Sequence, residues 1–142
     1  MSRPAYDECY LDSMIKKHRY LFKLIGRYCE TDAFVVIDKY LCCEYRKRMD
    51  EGNPLYLNKT PKQILGEMGI KVDLVSYISE KYDEFILEWM ADVYTYMQWK
   101  YAIPSNKIEE KIKAEDLYHK YYPLHETSLE NAVEKLKKIY NL

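Results

Sequence analysis

Apolar residues recur at steps of three and four along nearly the whole chain, the spacing of one face of a helix. Leu11, Met14, Ile15, His18, Phe22, Ile25 and Cys29 form the first stripe and predict a helix over 7–29. A second helix begins at Thr31 or Asp32, either of which can cap it, and carries Phe34, Ile37, Leu41, Tyr45 and Met49. Gly52-Asn53-Pro54 stops it, and residues 52–59 read as a loop. Val35-Val36-Ile37 alone would suit a strand, but it lies inside this longer period. Thr60-Pro61-Lys62-Gln63 is a strong helix start: Thr60 can cap, Pro61 suits the first helical position, and Gln63 completes a capping box. That short helix ends near Gly69.

A long helical stretch follows from about Val72 to Ala102, with a kink near Ser79. Its apolar face comprises Ile78, Tyr82, Phe85, Ile86, Trp89, Val93, Tyr96 and Met97, and Pro104 ends it. Ser105 can cap a short helix carrying Ile108 and Ile112, and another spans roughly 114–122 before Pro123. Thr127 with Glu130 forms a last capping box ahead of a helix that buries Leu129, Ala132, Val133, Leu136 and Ile139 or Tyr140. No segment alternates with period two, and no hairpin dipeptide separates apolar runs. The expected fold is therefore all-α: one domain over 1–142, an irregular bundle of five to seven helices with a long central one.

Size and composition agree. A chain of 142 residues, 48% hydrophobic and 32% charged, can bury a core without disulfide or metal staples. The net charge of −1 offers no global field to draw in nucleic acid or anionic membrane. Charges interrupt every apolar run, so no membrane partner is expected. MSRPAYDECY has no apolar signal-peptide core, so a cytoplasmic location with reduced thiols is expected for Cys9, Cys29, Cys42 and Cys43. Those cysteines form no CxxC pair and read as small apolar fillers. Lysine greatly outnumbers arginine, and there are 16 tyrosines against 4 glycines. An AT-rich bacterial or phage genome accounts for most of this bias, and a tyrosine-rich binding surface is the functional alternative.

Residues 61–80, PKQILGEMGIKVDLVSYISE, resemble the helix-turn-helix of bacterial regulators. Gly69 stands where the tight turn needs positive φ, and Ile64, Met68, Ile70, Val75 and Ile78 occupy the apolar offsets. The resemblance covers these twenty residues and implies a DNA-facing set of Lys71, Asp73, Ser76 and Tyr77. It departs from the pattern at Leu65, where a small residue is usual. It departs again in the would-be recognition helix, where Asp73 and Leu74 replace the basic and amide side chains that read bases.

Two charge ladders stand out. Glu80, Glu84, Glu88 and Asp92 are four residues apart, with Asp83 beside them. Like charges at this spacing cost a helix about 0.2–0.5 kcal/mol per pair, so local stability does not explain them. Arg19, Lys23 and Arg27 form the opposite ladder, with Tyr20 and Tyr28 interleaved, a face that could bind a nucleic-acid backbone. Three arrangements are open: solvated faces, mutual pairing within one molecule or across a homodimer, and an external charged partner. As sites, the acidic ladder is the candidate for a protein partner and the basic ladder a second candidate face.

Catalytic signatures are missing: no glycine-rich phosphate loop, no GxSxG, no HExxH. His18 lies on an apolar stripe and reads as a core histidine. His119 and His125 bracket Pro123, with Glu115 and Glu126 nearby, and are the only weak metal candidates. The expectation is no catalytic residue, no metal and no cofactor. The leading functional expectation is a small protein-interaction or regulatory module (inhibitor, antitoxin-like or adaptor). The alternative is a helix-turn-helix DNA-binding regulator using residues 61–80.

Overall fold

A computed structural model describes residues 3–29, 32–70 and 81–142, and every regular element among them is helical. A short 3-10 turn, Glu8–Tyr10, is capped by Asp7 and leads into α1, Leu11–Tyr28. Helices α2, Ala33–Cys42, and α3, Glu44–Asp50, follow, then α4, Pro54–Leu57, and α5, Pro61–Glu67. After 71–80 come α6, Glu84–Tyr101, α7, Ser105–Lys111, α8, Ala114–His119, α9, Tyr121–Leu124, and α10, Leu129–Ile139.

Ten helices are described where five to seven were expected, and each extra break has a local cause. Cys43 is extended (φ −77°, ψ 157°) and divides the expected second helix. Its sulfur accepts from the Arg46 N–H and caps α3. The expected 52–59 loop contains the single turn α4, started by Asn53 accepting from Leu55 N–H with Pro54 behind it. The expected 114–122 helix stops at His119, and a further turn, α9, carries Pro123. The long stretch from Val72 is not continuous to Ala102. Residues 81–83 are non-helical, and Asp83 caps α6 by accepting from Phe85 N–H. The kink expected at Ser79 lies outside the described residues.

Capping chemistry explains the other starts. Asp32, not Thr31, caps α2. Thr60 and Gln63 form the full capping box at α5. Ser128 rather than Thr127 caps α10, accepting from Asn131 N–H. Ser105 is the first residue of α7 rather than its cap.

Helices α1 and α6 form the most extensive pair in the fold. Gly26 lets them approach, since a Cβ there would run into the Leu87 side chain. More than half of α6 is buried, on most of its circumference, as suits a helix surrounded by neighbours. Its deepest residues are Met90, Ala91, Val93 and Met97, with Leu87, Thr95 and Tyr94 nearly as enclosed. Of the expected face, Ile86, Val93 and Met97 are buried, whereas Tyr82, Trp89 and Tyr96 are only half-buried and Phe85 is 75% exposed. Helix α10 packs against α6, while α2 lies against α1, α3, α7 and α8. Among the described residues no helix is long and apolar enough to cross a membrane.

Helix α5 ends in a six-residue hydrogen-bonded turn: Ile70 N–H donates to Leu65 carbonyl and Gly69 N–H to Gly66 carbonyl. Gly69 sits at φ +73°, the left-handed conformation this terminator requires. Gly66, inside α5, has open space around it. Gly69→Ala is expected to lower the unfolding free energy by about 1 kcal/mol or more. Gly66→Ala should raise it by up to about 1 kcal/mol. Urea denaturation of both variants checks the opposite signs.

Candidate functional site

The two charge ladders meet each other. Arg19 grips Asp92 with two bonds, Nε–Oδ1 at 2.5 Å and Nη2–Oδ2 at 2.8 Å. Lys23 Nζ lies 3.9 Å from Glu88, and Arg27 Nη2 lies 2.5 Å from Glu84. Each step of four along α1 is matched by a step of four back along α6, an antiparallel register. The like-charge cost along α6 is thereby relieved across the helix pair. Glu84, Glu88 and Asp92 are engaged within the molecule, and so are the three basic residues. A shallow recess lined by Tyr20, Lys23, Leu24, Arg27 and Tyr28 remains on α1. Its two charged contributors, Lys23 and Arg27, are already paired. Glu80 lies outside the described residues, as do Lys71, Asp73, Ser76 and Tyr77. Of the helix-turn-helix segment, the first helix and its glycine turn are described, and Gly69 is fully accounted for as the terminator of α5.

A second constellation is buried and was not foreseen beyond His18. Arg46 is 1% exposed and pairs with Asp50, Nε–Oδ1 3.1 Å, one turn along α3. Its Nε also donates to Ser105 Oγ at 2.7 Å. Ser105 in turn donates its backbone N–H and its hydroxyl to the Asp50 carboxylate, at 2.7 and 2.8 Å. Arg46 Nη1 lies 2.6 Å from His18 Nε2, which is also 2.6 Å from the Tyr40 hydroxyl. His18 Nδ1 is 2.7 Å from the Met14 carbonyl, so it carries the proton and Nε2 is the acceptor. Burial, then the adjacent Arg46 charge, holds His18 well below the usual histidine range. Burial opposes the Arg46 charge, but Asp50 and the Tyr40 and Tyr6 hydroxyls outweigh it and raise its pKa. Burial pushes the Asp50 carboxyl up against the pull of Arg46 and Ser105.

The sequence hides this cluster because Arg46 sits among Lys47 and Arg48 and looks like surface charge. The break at Cys43 resets the helical phase, so α3 buries Tyr45, Arg46 and Met49 together. The one available signal was the Arg46–Asp50 spacing of four beside an apolar stripe.

Nucleophile chemistry is disfavoured at the cysteines. All four are free. Cys42 Sγ donates to Glu109 Oε2 at 3.0 Å, and Lys113 also reaches Glu109. Partial burial, then this carboxylate, pushes the Cys42 thiol up to about 12. The histidine turn holds no metal-like geometry. His119 is exposed and edge-on to Tyr118. His125 bonds the Tyr121 carbonyl through Nδ1 at 2.8 Å and stacks on the Tyr121 ring, centroids 4.0 Å apart and 10° inclined. Among the described residues no group of three or more His, Cys, Asp or Glu could hold a metal ion.

What the turn does build is an aromatic ledge. Trp89 meets Tyr121 edge-on at 5.5 Å, and Tyr122 meets both Tyr121 and His125 at 4.9 Å. Phe85 stands one helical turn before Trp89 on the same side of α6. Phe85 and Tyr122 are 75% and 68% exposed. A second aromatic trio, Phe34, Tyr82 and Tyr118, has centroids 5.1–6.4 Å apart. Tyr82 OH accepts from Ala33 N–H, and Tyr118 OH accepts from Asp83 N–H, both at 3.0 Å. These hydroxyls satisfy the first N–H groups of α2 and the cap of α6, so the site's base is rigidly held.

No protein-family model, curated protein or solved structure matches the chain. The site is therefore read from its own chemistry.

Asp50→Ala, which strands a buried guanidinium, is expected to cost about 3–5 kcal/mol. Arg19→Ala, on the half-exposed ladder, should cost about 1 kcal/mol or less. Equilibrium denaturation at pH 8 separates the two. For Cys42, peptide-resolved alkylation at pH 8 should run about a thousandfold below an ordinary thiol, following its thiolate fraction. Glu109→Gln should speed it. An unchanged rate would mean that the carboxylate does not hold the thiol proton.

Proposed function

We infer that the chain is a single helical domain, a compact bundle around α6, acting as a non-enzymatic protein-interaction module. In this reading it is a small cytoplasmic regulator of the inhibitor, antitoxin-like or adaptor kind, of bacterial or phage type. Its contact face is the aromatic ledge, and Phe85 is the observation that carries the proposal. It is 75% exposed at the start of a helix that is otherwise largely buried. Burying such a side chain against a partner is worth about 1.5–3 kcal/mol. Tyr, Trp and Phe dominate the energetic centres of protein interfaces, whereas Lys and Glu are depleted there. The paired state of Glu84, Glu88 and Asp92 moves the proposed contact from the acidic ladder to this ledge. The non-catalytic part of the reading is supported by His18, whose two ring nitrogens serve the fold, and by the raised Cys42 thiol.

Binding through the ledge predicts that Phe85→Ala/Tyr122→Ala weakens partner capture by about 30-fold or more, the measure of a hot spot worth ~2 kcal/mol. The far-ultraviolet circular dichroism and Tm should stay unchanged. The full chain serves as bait in a lysate of its own cells, with the double variant and Arg27→Ala run in parallel. A partner held equally by all three sinks the proposal. Self-association that disappears in the double variant would make the partner a second copy.

A second reading, DNA binding through residues 61–80, is favoured by the α5 capping box and the Gly69 turn. It predicts salt-sensitive gel shifts with duplex DNA. No shift at low salt ends it.

A further inference from the structure

We propose that the His18–Arg46 contact is an acid-released latch: protonation of His18 unfastens α1 from the α2–α3–α7 side of the core. This inference is independent of the ledge.

With Nδ1 donating to the Met14 carbonyl, Nε2 offers a single lone pair inside the fold. Two donors converge on it, the Arg46 guanidinium and the Tyr40 hydroxyl, each at 2.6 Å. Tyr40 has a second outlet, since its hydroxyl reaches Met49 Sδ at 3.4 Å. Arg46 also bonds the Tyr40 hydroxyl, but its Nε is fixed on Ser105 and Asp50, so the guanidinium cannot turn away from the imidazole. A proton on Nε2 deletes the acceptor and places a second cation against the first.

The surroundings do not relieve that clash. Facing the imidazole and its partner are Lys17 from α1, Tyr40 from α2, Cys43 at the α2–α3 break, and Asp50 with Glu51 behind it. Ser105 of α7 and Tyr6 of the N-terminal segment complete the ring. Asp50 is the one buried carboxylate among them, and Arg46 and Ser105 already use both its oxygens. His18 itself is 2% exposed, so the proton cannot be hydrated without opening the contact.

The folded state holds His18 neutral, and the unfolded chain takes up the proton near pH 6.5. The folded state therefore binds fewer protons. The stability it contributes is complete above about pH 6.5 and is lost as pH falls below that value. Asp50, raised by burial, acts in the opposite sense, and the His18→Gln variant, which retains Asp50, separates its contribution from that of the histidine across about pH 8 to 5.5.

The test is urea denaturation of the full chain across that window. The unfolding constant should rise about tenfold per pH unit below pH 6.5. His18→Gln, which keeps an acceptor but cannot titrate, should abolish the rise. His119→Gln/His125→Gln should leave it intact. A rise that persists in His18→Gln, or disappears in the double variant, overturns the latch. Should His18→Gln fail to fold, the imidazole resonances of the unaltered protein decide. The latch requires His18 to stay neutral and unshifted down to pH 5.5. A native His18 signal that titrates near pH 6.5 refutes it.

Discussion

A guanidinium with 1% exposure is the constraint around which the helices are arranged. Removing such a charge from water costs several kcal/mol unless its donors are met inside. The partners of Arg46 come from separate elements: Asp50 from α3 itself, Ser105 from α7, and His18 from α1. Tyr40 of α2 shares the His18 acceptor. None of these helices can shift without leaving a buried polar group unmet. Helix α7 illustrates the dependence. It has no side-chain cap of its own, and its first N–H is taken by Asp50 from α3. The same device recurs at α8, where Ala114 N–H is met by Asp38 of α2. Short helices that would be marginal alone are thus tied by their ends to a neighbour.

The α1–α6 pair solves a different problem. Apolar stripes bury area but do not choose one register among several that differ by a helical turn. The charge ladders do. In the observed alignment Arg19, Lys23 and Arg27 meet Asp92, Glu88 and Glu84 in order. A slip by one turn would break this order of pairs and would move Gly26 away from the Leu87 side chain that packs on it. Partly exposed pairs add little free energy, so their effect is selective rather than stabilising.

The legible part of the fold was what local chemistry dictates. Helical periodicity gave the class, and side chains such as Asp32, Thr60 and Gln63 marked starts that the structure repeats. His18 read correctly as a core histidine. The illegible part was long-range. Nothing near Cys43 in the sequence announces a break, because the cap it supplies is a sulfur accepting one N–H. That break alone turned Arg46 inward. The acidic ladder was seen, but its pairing with residues 57 to 73 positions away was one of three arrangements the sequence leaves open. Phe85 was misplaced on the apolar face because the helix was taken to begin far upstream. The cap at Asp83 instead leaves Phe85 in the first turn, beyond the reach of the core.

The ledge and the latch occupy different elements of one frame, and their relation follows from how each is held. The ledge rests on ring contacts and on two tyrosine hydroxyls that serve as caps. The latch holds α1 against α2, α3 and α7, and α1 is also the principal neighbour of α6. Loosening α1 would therefore reach the ledge only through the α1–α6 seam. There the Arg19–Asp92, Lys23–Glu88 and Arg27–Glu84 pairs hold the two helices in register. The seam is thus the element that either confines an acid-driven opening to the α2–α3–α7 side or transmits it to the exposed aromatic face.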